Sequence, residues 1–188
     1  MELHRLAQRL FTQSPPAPHI ALRTLARFGE AALTATYQHG IRVTLLQARD
    51  TYAQYSPTLR QIASDLDRWP HPPAGLFVVA ERTMYIRQIT AMTIAHEFGH
   101  ALDCTLGNGV YYSNQDIHLQ SFFAQQQPWI TPYAATSVEE YFAEALRAYV
   151  NANDAHSPWP PATRQRLQRV NYQLFRYIEE LFSQKILM

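Results

Sequence analysis

The 188-residue chain reads as a helix-dominated α+β fold with one small β-sheet. Two observations predict it. Most of the chain repeats apolar residues every three or four positions, as helices with one buried face do. Only three short segments alternate or concentrate β-branched and aromatic residues as strands do. The length suits a single domain, with 1–40 as an N-terminal helical segment and 41–188 as the core.

Taken in order, residues 1–11 form an amphipathic helix with Leu3, Leu6 and Leu10 on one stripe. The Ser14-Pro15-Pro16-Ala17-Pro18 run breaks it as a short stiff connector. A second helix covers 20–37, with Leu22, Leu25, Leu33 and Tyr37 apolar, Gly29 a weak point, and Gly40 ending it. Residues 41–45 alternate as a strand. Ser56-Pro57 supplies an N-cap and a proline at N1, opening a helix to 68 with Leu59, Ile62, Ala63 and Leu66 inward. After the proline-rich turn 70–75, segments 76–79 and 83–87 make a β-hairpin. A helix over 90–106 stops at Gly107-Asn108-Gly109, and 114–127 is helical. Ser137-Val138-Glu139-Glu140 has a capping-box pattern that opens a helix over 137–151. A last amphipathic helix covers 162–183.

Composition excludes several classes. Hydrophobic residues make up 47% and aromatic residues 12%, which excludes a disordered chain. A formal net charge of +1 leaves no broad electrostatic footprint for nucleic acid or an anionic membrane. The single Cys104 excludes an intrachain disulfide, a four-cysteine zinc site and a CxxC redox pair. No apolar run is long enough to span a membrane, and the first residues lack the apolar core of a signal peptide. The expectation is a cytoplasmic protein, or one exported by a signal-independent route or as an effector. Lys185 is the only lysine among 16 basic residues. Genome bias explains that, and so does selection against modifiable amines in a host-delivered, toxin-like protein.

The chemistry centres on His96-Glu97-Phe98-Gly99-His100. Positions four apart on a helix lie above one another, so both imidazoles can face one metal ion while Glu97 takes a proton from water. The metzincin continuation needs glycine at 103 and His or Asp at 106. Asp103 and Leu106 exclude it. A third ligand can come instead from Glu140 or Glu144, four apart on one later helix among Tyr141, Phe142 and Ala145. Buried like-charged carboxylates are costly unless a cation neutralises them. Each has another reading: Glu140 as the reach-back arm of the capping box, Glu144 on a solvated face or as an ion-pair partner of Arg147 or Arg27. Asp103 can orient a ligand imidazole or pair with an arginine. Cys104, His118, Trp129 and Trp159 are expected to pack or lie at the surface rather than to take part.

These residues, His96 to Asp103, Tyr133, and Glu140 to Ala145, resemble the catalytic domain of anthrax lethal factor and the related Pro-Pro endopeptidases. The resemblance implies a zincin-like metallopeptidase domain with an active-site helix. It implies His96, His100 and Glu140 as zinc ligands, Glu97 as catalytic base, and Tyr133 as an assisting donor seven residues before Glu140. It places Glu144 behind the ligands. The expected function is zinc-dependent hydrolysis of an extended peptide or protein substrate, Glu97 activating the water and later protonating the leaving amine. The alternative is a catalytically silent pseudo-peptidase that binds peptides. An edge strand normally holds such a substrate, and 83–87, just before the motif helix, is the expected one, with the peptide antiparallel to it.

Overall fold

Pro18, which has no backbone N–H to leave unsatisfied, sits at the N-cap of the second of three short helices. The computed structural model describes residues 2–12, 17–155, 157 and 160–185. Helices α1 (Glu2–Gln8), α2 (His19–Ala26) and α3 (Gly29–Gln38) precede strand β1 (Arg42–Leu45). Next come α4 (Tyr52–Tyr55), α5 (Pro57–Ile62) and the strands β2 (Gly75–Val78) and β3 (Thr83–Ile86). The rest is helical: α6 (Ala91–Leu106), α7 (Ile117–Gln125), α8 (Val138–Tyr149), α9 (Arg164–Val170) and α10 (Tyr172–Glu180), then a π-helical turn, Leu181–Lys185. The helix-dominated α+β class with one small sheet is what the residue pattern predicts. The predicted connector residues Ser14, Pro15 and Pro16, and Trp159, lie outside the described residues.

The helices differ from expectation where a local signal interrupts the periodicity. The helix expected over 20–37 is two, because Gly29 adopts φ +84° and turns the chain out of the right-handed path. The helix expected over 57–68 ends at Ile62, since Ala63 leaves helical geometry and only a 3-10 turn, Leu66–Arg68, follows. Ile62, expected inward, is therefore 75% exposed, while Leu59 and Leu66 are buried. Within 114–127 only α7 is helical, after a separate 3-10 turn at Tyr112–Asn114, and its N-cap Asp116 accepts from the His118 and Leu119 N–H groups. The last helix breaks at Asn171, whose side chain caps α10 and also donates to Tyr141 and Gln126.

The sheet has the order β1-β3-β2. β3 pairs parallel with β1 and antiparallel with β2, so the strand expected to offer a free edge is the central one. All four of its residues are buried. The free edge nearest the motif helix belongs to β2. Ala74 carbonyl accepts the Arg87 N–H, and the alternation of antiparallel pairing then turns the backbone groups of Gly75 and Phe77 away from β3.

β2 and β3 pack on one side of α6, with α2, α3 and α8 on others. Thr90 caps α6 by accepting from the Thr93 N–H, and buried residues then surround much of the helix. Phe28 meets Phe98 edge-to-face at 4.6 Å between ring centroids. α6 and α8 meet at Gly99, where a Cβ would lie 3.0 Å from Ala143 Cα and 3.1 Å from its carbonyl oxygen. Those are backbone atoms of a packed helix and cannot swing aside. Gly99→Val should accordingly cost about 1–3 kcal/mol by overpacking. Urea unfolding measures it, and undiminished stability would count against this contact.

Candidate metal centre

His96 and His100 project from successive turns of α6, with their Nε2 atoms 3.2 Å apart. Glu140, in the first turn of α8, places Oε2 3.0 Å from His96 Nε2 and 3.2 Å from His100 Nε2. The capping box is only half made. Ser137 Oγ accepts the Glu140 N–H at 3.4 Å, while the Glu140 carboxylate turns to the imidazoles instead of reaching back.

Three ligand-type atoms so close together need something positive between them. Atoms sharing one tetrahedral ion at about 2.0–2.1 Å lie roughly 3.3 Å from one another, close to the separations here. The two nitrogens and one carboxylate oxygen therefore fit a divalent cation, and these residues form a group suited to hold one. Without it, burial works against the charge on Glu140, but hydrogen bonds from His100 and His96 win and hold its carboxyl down at about 2. Burial likewise opposes charge on His96. Its hydrogen bonds to Glu140 and Glu144 outweigh that, and its pKa is pushed up to about 10.

Glu144 stands one helical turn beyond Glu140, behind the first imidazole. Its Oε1 accepts from His96 Nδ1 at 2.9 Å and from Arg147 Nε at 2.8 Å. Its Oε2 accepts from Arg147 at 2.7 Å and from the Thr131 hydroxyl at 2.6 Å. One carboxylate thus meets both the Arg147 guanidinium and the His96 imidazole. Burial would raise its pKa, but the donors from His96 and Arg147 keep it far below the carboxylate range. Such a carboxylate fixes the tautomer and orientation of its histidine. Thr131 belongs to no motif in the sequence, and no spacing signals it. Arg147, three residues after Glu144, is expected from the sequence only as an ion-pair partner.

Glu97 is 7% exposed and lies under β2, accepting a hydrogen bond from the Phe77 backbone N–H. Burial pushes its pKa up, against the pull of His96 and His100. Tyr133, 53% exposed in a 3-10 turn before α8, donates its hydroxyl to Glu140 Oε1 at 3.2 Å. Its ring centroid is 5.5 Å from that of His96, and burial of the hydroxyl raises its pKa, so it remains a proton donor. A cavity of about 500 Å³ opens beside these groups, lined by Pro73, Gly75, Met92, Thr93, Pro132 and Tyr133 among others.

Asp103 points elsewhere. Its carboxylate accepts the Ser113 N–H at 2.8 Å and the Ser113 hydroxyl at 2.6 Å, fastening the loop after α6. His100 Nδ1 has no hydrogen-bond partner among the described residues, and the Tyr111 ring lies 5.6 Å from the His100 ring. Cys104 is buried in the core, Trp129 packs on Phe123 and Tyr141, and exposed His118 lies against Phe122 and Tyr177.

Burial pushes the Asp103 carboxyl up to about 6 from 3.8, with both Ser113 donors opposing. A carboxyl with a raised folded-state pKa holds its proton more tightly in the fold. Its contribution therefore favours the fold at low pH and fades as pH rises through about 4 to 6. Stability of the wild type relative to Asp103→Asn should fall by on the order of 3 kcal/mol across that window. Denaturant titrations at each pH test this, and a difference that is flat with pH would rule it out.

No protein-family model and no curated protein matches the sequence. Among solved structures, the chain is similar to the Pro-Pro endopeptidase PPEP-2 from Paenibacillus alvei, with a TM-score of 0.67. The likeness covers 94% of this chain and 99% of that one at 20% identity, and what the two share is the fold.

Proposed function

We propose that the chain is a zinc-dependent endopeptidase acting on an extended peptide or protein segment. One observation carries the reading: His96, His100 and Glu140 converge at 3.0–3.2 Å beside the buried carboxyl of Glu97 and the free edge of β2. The shared fold with a Pro-Pro endopeptidase supports it. Zinc held by the two imidazoles and Glu140 would polarise the scissile carbonyl and acidify water.

The remaining roles belong to the protein. Glu97, with a raised pKa, suits accepting a proton and later returning it to the leaving amine. Tyr133, protonated and half exposed, can leave Glu140 and donate to oxygen as negative charge develops there. Glu144, held by Thr131 and Arg147, keeps His96 in the tautomer that presents Nε2 to the centre.

With the Phe77 N–H already given to Glu97, the outward backbone groups of Gly75 and the Phe77 carbonyl would pair with the substrate as an added strand, giving affinity that does not depend on sequence. An antiparallel peptide runs its C-terminal side towards the start of β2. That is where Pro73, Ala74 and Gly75 border the cavity, so the residue after the cut would enter it. The largely carbon-lined walls favour an apolar side chain there.

Two outcomes are expected. At neutral pH the metal-free site holds a proton on His96, which zinc must displace. Titrating zinc into the apo chain in buffers of different ionisation enthalpy should report about one proton released per ion. Zinc uptake without proton release would contradict this arrangement. In a peptide-library screen, Glu97→Gln should keep one zinc per chain and lose cleavage by about 10²–10⁴-fold. Zinc binding with no cleavage by the wild type would favour a peptide-binding module instead.

A further inference from the structure

Gly75 opens β2 with a φ outside the left-handed region, so its backbone does not demand glycine. Glycine in a strand gives up packing and ordering energy, and it commonly marks a place where something approaches closely. What approaches here is Glu97. A Cβ on residue 75 would lie 2.8 Å from Glu97 Cγ, 3.1 Å from Glu97 Oε1 and 2.8 Å from Thr93 Cγ2.

Neither side of this contact can yield without consequence. β2 is held from behind: the Tyr52 hydroxyl donates to the Pro73 carbonyl at 2.7 Å. The Ala74 carbonyl accepts N–H groups from both Arg87 and Gln88 at 2.9 Å. Thr93 is buried in the first turn of α6, its hydroxyl 3.1 Å from that of Thr90. Glu97 has the longer side chain and would be the member to give way, yet its carboxyl is tied to the same strand through the Phe77 N–H.

We propose that Gly75 is a positioning residue: its missing side chain leaves the space in which the Glu97 carboxyl is held beside the His96–His100–Glu140 centre. The proposal rests on the peptidase reading of this site for its catalytic consequence, and on sterics alone for the contact. A Cβ added at 75 meets Glu97 and Thr93 first, and none of its three nearest atoms belongs to His96, His100 or Glu140.

The test compares wild type with Gly75→Ala on one peptide, with zinc content measured in both. A shift of about 1 Å in a reacting group costs on the order of 10²-fold in rate. The expected result is a kcat lower by about 10- to 100-fold, with KM within about threefold and zinc unchanged. A wild-type kcat in Gly75→Ala overturns the proposal. Thermal unfolding of the zinc-loaded chains supplies the second readout. Gly75→Ala should lower Tm by about 2–10 °C, and by clearly less when Glu97 is already alanine. Equal losses in both backgrounds would show that the two residues do not meet, which also overturns it. If Gly75→Ala does not fold, Gly75→Ala with Thr93→Ser removes the second clash and leaves the Glu97 contact to be measured. A wild type that cleaves nothing removes the peptidase reading, while a coupled Tm cycle would still support Gly75 as the residue that sets the place of Glu97.

Discussion

Two helices, each carrying polar groups four residues apart, are pressed together where Gly99 meets Ala143. That approach is what brings His96 and His100 against Glu140 and Glu144, and the rest of the site is arranged to make it tolerable. Four ionisable side chains in so small a volume would be costly without compensation. Arg147 gives Glu144 a two-pronged partner, and Glu140 accepts from both imidazoles and Tyr133. A larger residue at 99 would separate the helices and leave these charges facing one another across a wider gap.

The compensation is uneven, and the unevenness has a direction. His96 is braced through Nδ1 by a carboxylate that itself receives three further hydrogen bonds. His100 has no such brace at Nδ1 among the described residues and is confined by packing, with Tyr111 beside it. Half-exposed Tyr133 is the least confined of the polar groups around the centre. In the proposed reaction, the groups that would have to keep their place are thus hydrogen-bonded to fixed partners, while Tyr133, the one that would follow developing charge, sits at the solvent boundary.

Much of this was legible because it depends on short-range spacing. Histidines at 96 and 100 and glutamates at 140 and 144 fall on single helix faces whatever the tertiary fold, and Thr90 and Ser137 mark where those helices begin. What spacing cannot express is pairing between distant segments. β1 and β3 are joined in parallel across about forty residues, so the hairpin strand that looks like an edge locally is central globally. The helix breaks at Ala63 and Asn171 follow from backbone turns and tertiary hydrogen bonds that apolar periodicity does not register. Asp103 shows the same limit: its place on the motif helix suggests His100, and the loop that folds back delivers Ser113 instead.

The polar front of α6 is made affordable by its carbon-rich surroundings. Ile94, Phe98, Ala101 and Leu102 are fully or almost fully buried in a core that runs from Ala7 in α1 to Leu181 after α10. The N-terminal helices and the C-terminal pair therefore act on the site without touching it, by clamping α6 and α8 from behind. β2 completes the arrangement from the front. The strand whose free edge would guide a peptide also donates the Phe77 N–H to Glu97 and supplies the space beside Gly75. In the proposed reaction, a substrate laid along β2 would thus be aligned with the very element that holds Glu97. Alignment of peptide and proposed proton acceptor would then follow from one strand rather than from two that must agree.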